Sequence, residues 1–202
     1  MMRWNRQVVI FARAPRFGVG KRRLAADVGR GVAHRFYRWN LARQIAELGC
    51  GPWRLAVAVA DRHEVDAPAF AHRSRIWQGL GDLGQRMVRV LRCGYARPAG
   101  PVVIVGSDIP DLCSRQVAEA FEALRTRDIV FGPSADGGFY LVGVSGRRPV
   151  PRGFMDGVRW SGPHAMRDTC ATLPAHWRVA FLGSLDDIDD GADYHAWKAR
   201  TR

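Results

Sequence analysis

The sequence predicts an α/β fold with a largely parallel sheet, and three observations carry that prediction. Short apolar runs alternate with segments of helical periodicity along the chain. Val102–Val105 is an unbroken run of β-branched residues, as a strand buried on both faces requires. Gln7–Ala12 runs straight into a glycine-bearing basic loop and then into a helical pattern, which is the start of a βα unit. No internal repeat, low-complexity tract or linker breaks the alternation. Residues 1–202 are therefore expected to form a single domain, long enough for one sizeable core.

Each element follows in order. Gln7–Ala12 reads as the first strand. Leu24, Val28, Val32, Phe36, Ile45 and Leu48 then recur at mostly four-residue spacing, with a break near Gly29-Arg30-Gly31. Arg54–Ala60 is the second strand and Ile76-Trp77 a short third. Leu83, Met87, Val90 and Leu91 mark the next helix. After Val102–Val105, a helix begins near Ser114, its expected cap, and buries Val117, Ala120, Phe121 and Leu124. Asp128–Gly132 is a strand, and the paired glycines after Asp136 turn the chain into another. Trp160-Ser161-Gly162-Pro163 opens a helix carrying Met166, Thr169, Cys170 and Leu173. Trp177–Leu182 is the last strand. Asp190 and Asp193 have the spacing of a capping-box-like start for the final helix.

Composition narrows the function. Hydrophobic content of 47% and charged content of 25% are those of a soluble globular chain. No apolar run approaches a membrane span, and the N-terminus is too arginine-rich, with too short an apolar stretch, for a secretory signal. Cys50, Cys93, Cys113 and Cys170 form no CxxC, so reduced thiols in a cytoplasmic protein are expected. The net charge is +12, and residues 1–45 alone hold eleven basic side chains against one acid, Asp27. That block lacks interleaved aromatics and any nucleic-acid motif, so a phosphorylated small molecule is the simpler partner. Part of it also serves as a solvated helix face.

Two stretches carry chemistry. Arg13, Lys21 and Arg23 gather around Gly18 and Gly20 in a strand–loop–helix setting, where glycines admit a phosphate and cations complete its site. The loop matches neither GxxxxGK[ST] nor GxGxxG. Beyond Val102–Val105, Asp108 and Asp111 flank Pro110 at the carboxyl end of a strand, where open α/β sheets collect ligands. They suit a Mg²⁺ or Mn²⁺ bridged to phosphate, or else Asp108 caps a turn and Asp111 precedes a helix. Asp136 is either a turn residue or a second acid facing the same ligand. Asp187 and Asp189 are left over from the final cap, and a metal would explain them.

RAPRFGVGKRRL, GDLGQRM, GSDIPDL, GPSADGGFYLVG and WSGPH stand in that order. Together they resemble a bacterial family of GT-A-type, nucleotide-diphospho-sugar transferase-like proteins, some described as arsenosugar-biosynthesis glycosyltransferases. The resemblance runs from about Gln7 to Thr169. More distantly the chain is similar to small nucleotidyltransferases, including guanylyltransferases that activate phospholactate or phosphoenolpyruvate. Their DxDxxxDL-like ending is echoed by Asp187-Ile188-Asp189 and Asp193-Tyr194. The resemblance implies a three-layer α/β/α sandwich and a metal-dependent transferase that uses an activated nucleotide. The donor is then a nucleotide sugar, or an NTP that gives its NMP to a phosphorylated or phosphonate acceptor. A non-catalytic nucleotide-binding protein is the third reading.

Residue by residue, the resemblance gives Arg13, Gly18, Lys21 and Arg23 to the phosphates and sets Gly81, Asp82 and Leu83 near the base or ribose. Asp108 becomes the principal metal ligand, completed by Asp189 or Asp136, and Asp108 and Lys21 the catalytic pair. The family's KTRL is Lys21-Arg22-Arg23-Leu24 here, its GGYY is Gly138-Phe139-Tyr140, and its WST is Trp160-Ser161-Gly162, which loses a hydroxyl.

Overall fold

A computed structural model describes residues 5–71, 73–93 and 100–201. Seven strands form one sheet, in the order β3-β2-β1-β4-β6-β5-β7. They are β1 (Gln7–Ala12), β2 (Arg54–Val59), β3 (Ser74–Trp77), β4 (Val102–Gly106), β5 (Ile129–Pro133), β6 (Phe139–Val144) and β7 (Val179–Phe181). The helices are α1 (Arg22–Val28), α2 (Arg30–Gly49), α3 (Leu83–Cys93), α4 (Ser114–Ala123), α5 (Ala165–Ala171) and α6 (Gly191–Arg200). β1 pairs in parallel with β2 and β4, β2 with β3, and β5 with β7. Only β6 runs the other way, antiparallel to both β4 and β5.

Strand alternation divides the core in two. Val8, Ile10, Val57, Val103 and Val105 pack with Leu41, Ile45 and Leu48 of α2 and Val117, Ala120 and Phe121 of α4. Val9, Ala58, Ile104, Phe131 and Val142 face the opposite side, with Met87, Val90 and Leu91 of α3 and Ala165 of α5. The result is the three-layer α/β/α sandwich. Burying each such side chain contributes roughly 1.5–3 kcal/mol. A third cluster, Leu24, Ala33, Phe36 and Ile188, ties α1 to α2, with Tyr194 and Trp197 of α6 packed against it.

Most boundaries fall within a residue or two of expectation. β3 starts earlier than the sequence suggests, and β7 is shorter at both ends. A run of short 3-10 turns at Arg62–Phe70, which no periodicity announced, carries the chain from β2 to β3. The expected cap at Ser114 is a correction. Cys113 takes the cap position in a reciprocal pairing with Gln116, while the Ser114 hydroxyl donates to Glu47 Oε1 at 2.7 Å. Glu47 is pulled below the usual carboxylate range by those Ser114 hydrogen bonds. The Asp190–Asp193 capping box at α6 is as read from the sequence. The four cysteines form no disulfide, and no helix among the described residues is long and apolar enough to cross a membrane. Arg3 of the basic block lies outside the described residues.

Candidate active site

The carboxyl ends of β1 and β4 lie side by side in the sheet, and the loops leaving them build the site. The loop after β1 reaches α1 through Gly18 (φ +75°), Gly20 (φ +77°) and Lys21 (φ +45°). A Cβ at Gly20 would meet nothing within 4 Å, so glycine serves the backbone angle there rather than a close approach. Lys21 holds a left-handed conformation without being glycine, the local strain that often accompanies a functional position.

Lys21 is the centre of the arrangement. Its side chain is only 9% exposed, and its Nζ lies 3.1 Å from Asp108 Oδ2 and 3.3 Å from Asp189 Oδ1. Nζ also donates to the Ile188 carbonyl oxygen. Ile188 N–H donates to the Asp108 carbonyl at 3.2 Å, so three distant chain segments are knotted around one ammonium. Arg23 Nη2 adds a second cation, 3.1 Å from Asp189 Oδ2. The basic loop is exposed along most of its length, Arg23 included, and Lys21 is the cation that turns inward.

The acids of the site differ in their surroundings. Asp108 Oδ1 is buried and has no hydrogen-bond partner. Asp136 Oδ1 accepts from Gly138 N–H at 2.8 Å, so the residue does form a turn, and it also lines the cleft that Asp108 lines. Gly137 in that turn is obligatory twice over. Its φ is +85°, and a Cβ would sit 2.4 Å from the Pro163 carbonyl oxygen. Asp187 is pushed up to about 6, first by burial and then by the charges of Asp189 and Asp136. Tyr37 is pushed up to about 12, by burial first and then by Asp108; its hydroxyl is bracketed by the Arg13 backbone, accepting at 3.0 Å and donating at 2.9 Å.

Two clefts meet at Asp108, Asp189, Arg23, Leu83 and Phe11. One, of about 450 Å³, is walled by Arg13, Gly20, Lys21, Arg22, Arg23 and Arg86. The other, of about 780 Å³, carries Asp136, Asp186, Asp187, Asp190 and Asp193, with Phe139 and Trp160; Arg23 is its one cationic lining residue among those described. A basic half and an acidic, aromatic half therefore share a carboxylate boundary.

Of the residues expected for the nucleotide, Arg13, Lys21, Arg23 and Leu83 line these clefts. Arg13 also reaches Asp61 at 3.5 Å. Gly18 instead faces a smaller groove between the loop and α2, with His34 and Tyr37. Asp82 caps α3, accepting from Gln85 N–H at 2.8 Å, and Gly81 borders a separate groove with Arg89. Asp111 leaves the site altogether, pairing with Arg200 of α6 at 2.9 Å. Asp108, Asp136 and Asp189 line one cleft without converging on a single 4.8 Å cluster.

Sequence reasoning missed Arg86, Tyr37, Asn40 and Gln44. Asn40 Nδ2 donates to the Ser107 carbonyl and Gln44 Nε2 to the Ile109 carbonyl, each at 2.8 Å, so α2 grips the loop that carries Asp108. The signal was present: Phe36, Asn40 and Gln44 share one stripe of α2, and two of them are polar where apolar residues belong.

Asp108 and Asp189 supply hard oxygen donors at the boundary between the clefts. The partnerless Asp108 oxygen is what a divalent Mg²⁺ or Mn²⁺ would relieve, so the donor chemistry fits such an ion, and the carboxylates would have to draw together to share it.

No curated protein matches the chain. Among solved structures, a presumed nucleotide-diphospho-sugar transferase from Desulfovibrio desulfuricans G20 superposes with a TM-score of 0.90 at 26% identity, covering 98% of this chain and 88% of that one. A 4-diphosphocytidyl-2C-methyl-D-erythritol synthase from Anaerococcus prevotii DSM 20548 gives 0.58 at 8% identity, covering 98% and 99%. Glucosyl-3-phosphoglycerate synthase from Mycobacterium tuberculosis, solved with Mn²⁺, UDP and glucosyl-3-phosphoglycerate, gives 0.53 at 14% identity, covering 98% and 76%. The latter two likenesses are of fold alone. A family model described as "uncharacterized protein conserved in bacteria (DUF2064)" matches residues 41–162. That match takes in more than half of the chain, which belongs to this family and has the nucleotide-diphospho-sugar transferase fold.

Proposed function

We propose that this protein is a metal-dependent transferase with a nucleotide-sugar donor. The observation that carries the reading is the charge division at Asp108: five cationic side chains on one side, carboxylates and aromatic rings on the other. The likeness to the Desulfovibrio protein supports the donor class.

In this reading the diphosphate lies in the basic cleft against Arg13, Arg22, Arg23 and Arg86, with the Gly20 backbone beside it. Asp108, together with Asp189 or Asp136 and with Asp187 nearby, would hold Mg²⁺ or Mn²⁺. That ion would supply charge neutralisation for the departing nucleoside diphosphate. The sugar sits at the junction, and the acceptor enters the wider cleft. Asp187 is placed to take the acceptor's hydroxyl proton as the new carbon–oxygen bond forms and the bond from sugar carbon to phosphate oxygen breaks.

Nucleotidyl transfer to a phosphorylated acceptor is the other chemistry available to this fold. It asks for cations around the acceptor, and the wide cleft offers Arg23 against a surrounding set of acids. Glycosyl transfer is favoured on that ground. A thermal-shift screen of nucleotide sugars and NTPs, with and without Mg²⁺ or Mn²⁺, identifies the donor. Incubation with that donor should then release a nucleoside diphosphate or monophosphate, if only by slow hydrolysis. Pyrophosphate released from an NTP would instead establish nucleotidyl transfer. Turnover of neither class would leave a nucleotide-binding protein.

A further inference from the structure

Outside both clefts, the turn after β2 brings Asp61, His63 and Glu64 together. One ligand atom from each lies within 4.8 Å of the other two, and none of the three residues lines either cleft. Glu64 is the unusual member. It is 1% exposed, makes no ion pair among the described residues, and its Oε2 is buried without a hydrogen-bond partner. A carboxylate buried in this way is costly unless a cation joins it. The 3-10 turn fixes it there through Glu64 N–H to the Asp61 carbonyl, at 2.9 Å, and Ala67 N–H to the Glu64 carbonyl, at 3.0 Å. Asp61 is half-buried and His63 exposed, so an ion has a path from solvent.

We propose that Asp61, His63 and Glu64 bind a transition-metal dication of the zinc class, at a site distinct from the carboxylates around Asp108. One imidazole nitrogen with two carboxylate oxygens is a donor set for Zn²⁺ or Co²⁺, whereas Mg²⁺ favours oxygen alone. Three protein ligands leave a position open to water. Asp61 Oδ2 already pairs with the Arg13 guanidinium at 3.5 Å. A metal here would release Arg13 toward the basic cleft that it borders.

The test uses the full chain stripped with chelator and titrated with Co²⁺, whose visible bands report bound ligands. An Asp108→Asn/Asp187→Asn host weakens the cleft site by removing two of its carboxylates, and the response to His63→Ala tells which site a remaining ion occupies. The host should bind one Co²⁺ that Zn²⁺ displaces, and His63→Ala or Glu64→Gln in that host should weaken it about tenfold or more. The His63 ring is exposed, so His63→Ala should melt like its parent and decides the matter even if Glu64→Gln folds poorly. A host without Co²⁺ bands, or bands unchanged by His63→Ala, would overturn the site.

Discussion

Asp108 shows what one side chain contributes here. One of its oxygens is neutralised by Lys21 and the other has no partner, so its charge is half used within the protein. Asp108→Asn keeps the size and turn preference of the residue while removing that charge. The variant should fold and lose the metal-dependent part of nucleotide binding, measured by calorimetry with and without Mg²⁺. Asp190→Asn, at the cap of α6, should leave binding intact; metal-dependent binding that survives Asp108→Asn would move the centre of the site to Asp136 and Asp189. Asp187 gives a pH test. Its folded value of about 6 lies above the ordinary 3.8. The folded protein therefore takes up this proton before the unfolded chain does, and the residue's contribution worsens as pH rises between those values. Asp187→Asn should raise the thermal midpoint at pH 7, with the gain fading towards about pH 4. An equal gain at both values would contradict the shift.

At the scale of elements, α2 does more than cover the sheet. Its Asn40 and Gln44 amides hold two carbonyls of the Asp108 loop from inside the core. Asn40→Ala should cost about 1–3 kcal/mol in urea unfolding, because it orphans a buried carbonyl. It should also weaken nucleotide affinity although the residue touches neither cleft; full affinity would reduce Asn40 to packing. The same helix shows how far the sequence could be read. Its apolar spacing, the β-branched run of β4 and the Asp190–Asp193 cap are local patterns, and each element was legible from them. What a polar residue inside the stripe reaches for is set by a loop more than sixty positions away in the chain, so spacing alone could not name Ser107 and Ile109. The same limit hid Asp111, whose partner Arg200 sits at the far end of the sequence, and made Ser114 look like a cap when its hydroxyl serves Glu47.

The whole molecule separates binding from stability along the strands. The groups proposed to face the ligand collect at the carboxyl ends of β1 and β4, while Asp128 enters β5 at the opposite end. There it is buried, accepts from Arg178 N–H at 2.9 Å, and lies within 4 Å of cationic nitrogens of Arg147, Arg148 and Arg178. Asp128→Ala should lower stability by about 1–3 kcal/mol in chemical denaturation, since it strands the Arg178 N–H. Nucleotide affinity should stay unchanged in calorimetry; a parallel loss would mean that the two ends of the sheet communicate. The parallel character of the sheet was legible because each strand is an apolar run followed by a helical segment. The reversal of β6 was not, because a tight turn at Asp136–Gly138 says that the chain doubles back and leaves open which neighbours it joins.

If Asp108 and Asp189 hold the ion as proposed, the lysine knot makes the resting protein its own competitor. With Lys21 seated between Asp108 and Asp189, an incoming cation is exchanged for an ammonium already in residence. On the proposed reading, a phosphate that draws Lys21 outward lowers the cost of that exchange. Thermodynamic reciprocity then requires the cation to tighten phosphate binding by the same factor. Donor and ion would enter as a cooperative pair, each weak alone, and the enzyme would stay closed to stray dications until its nucleotide arrives.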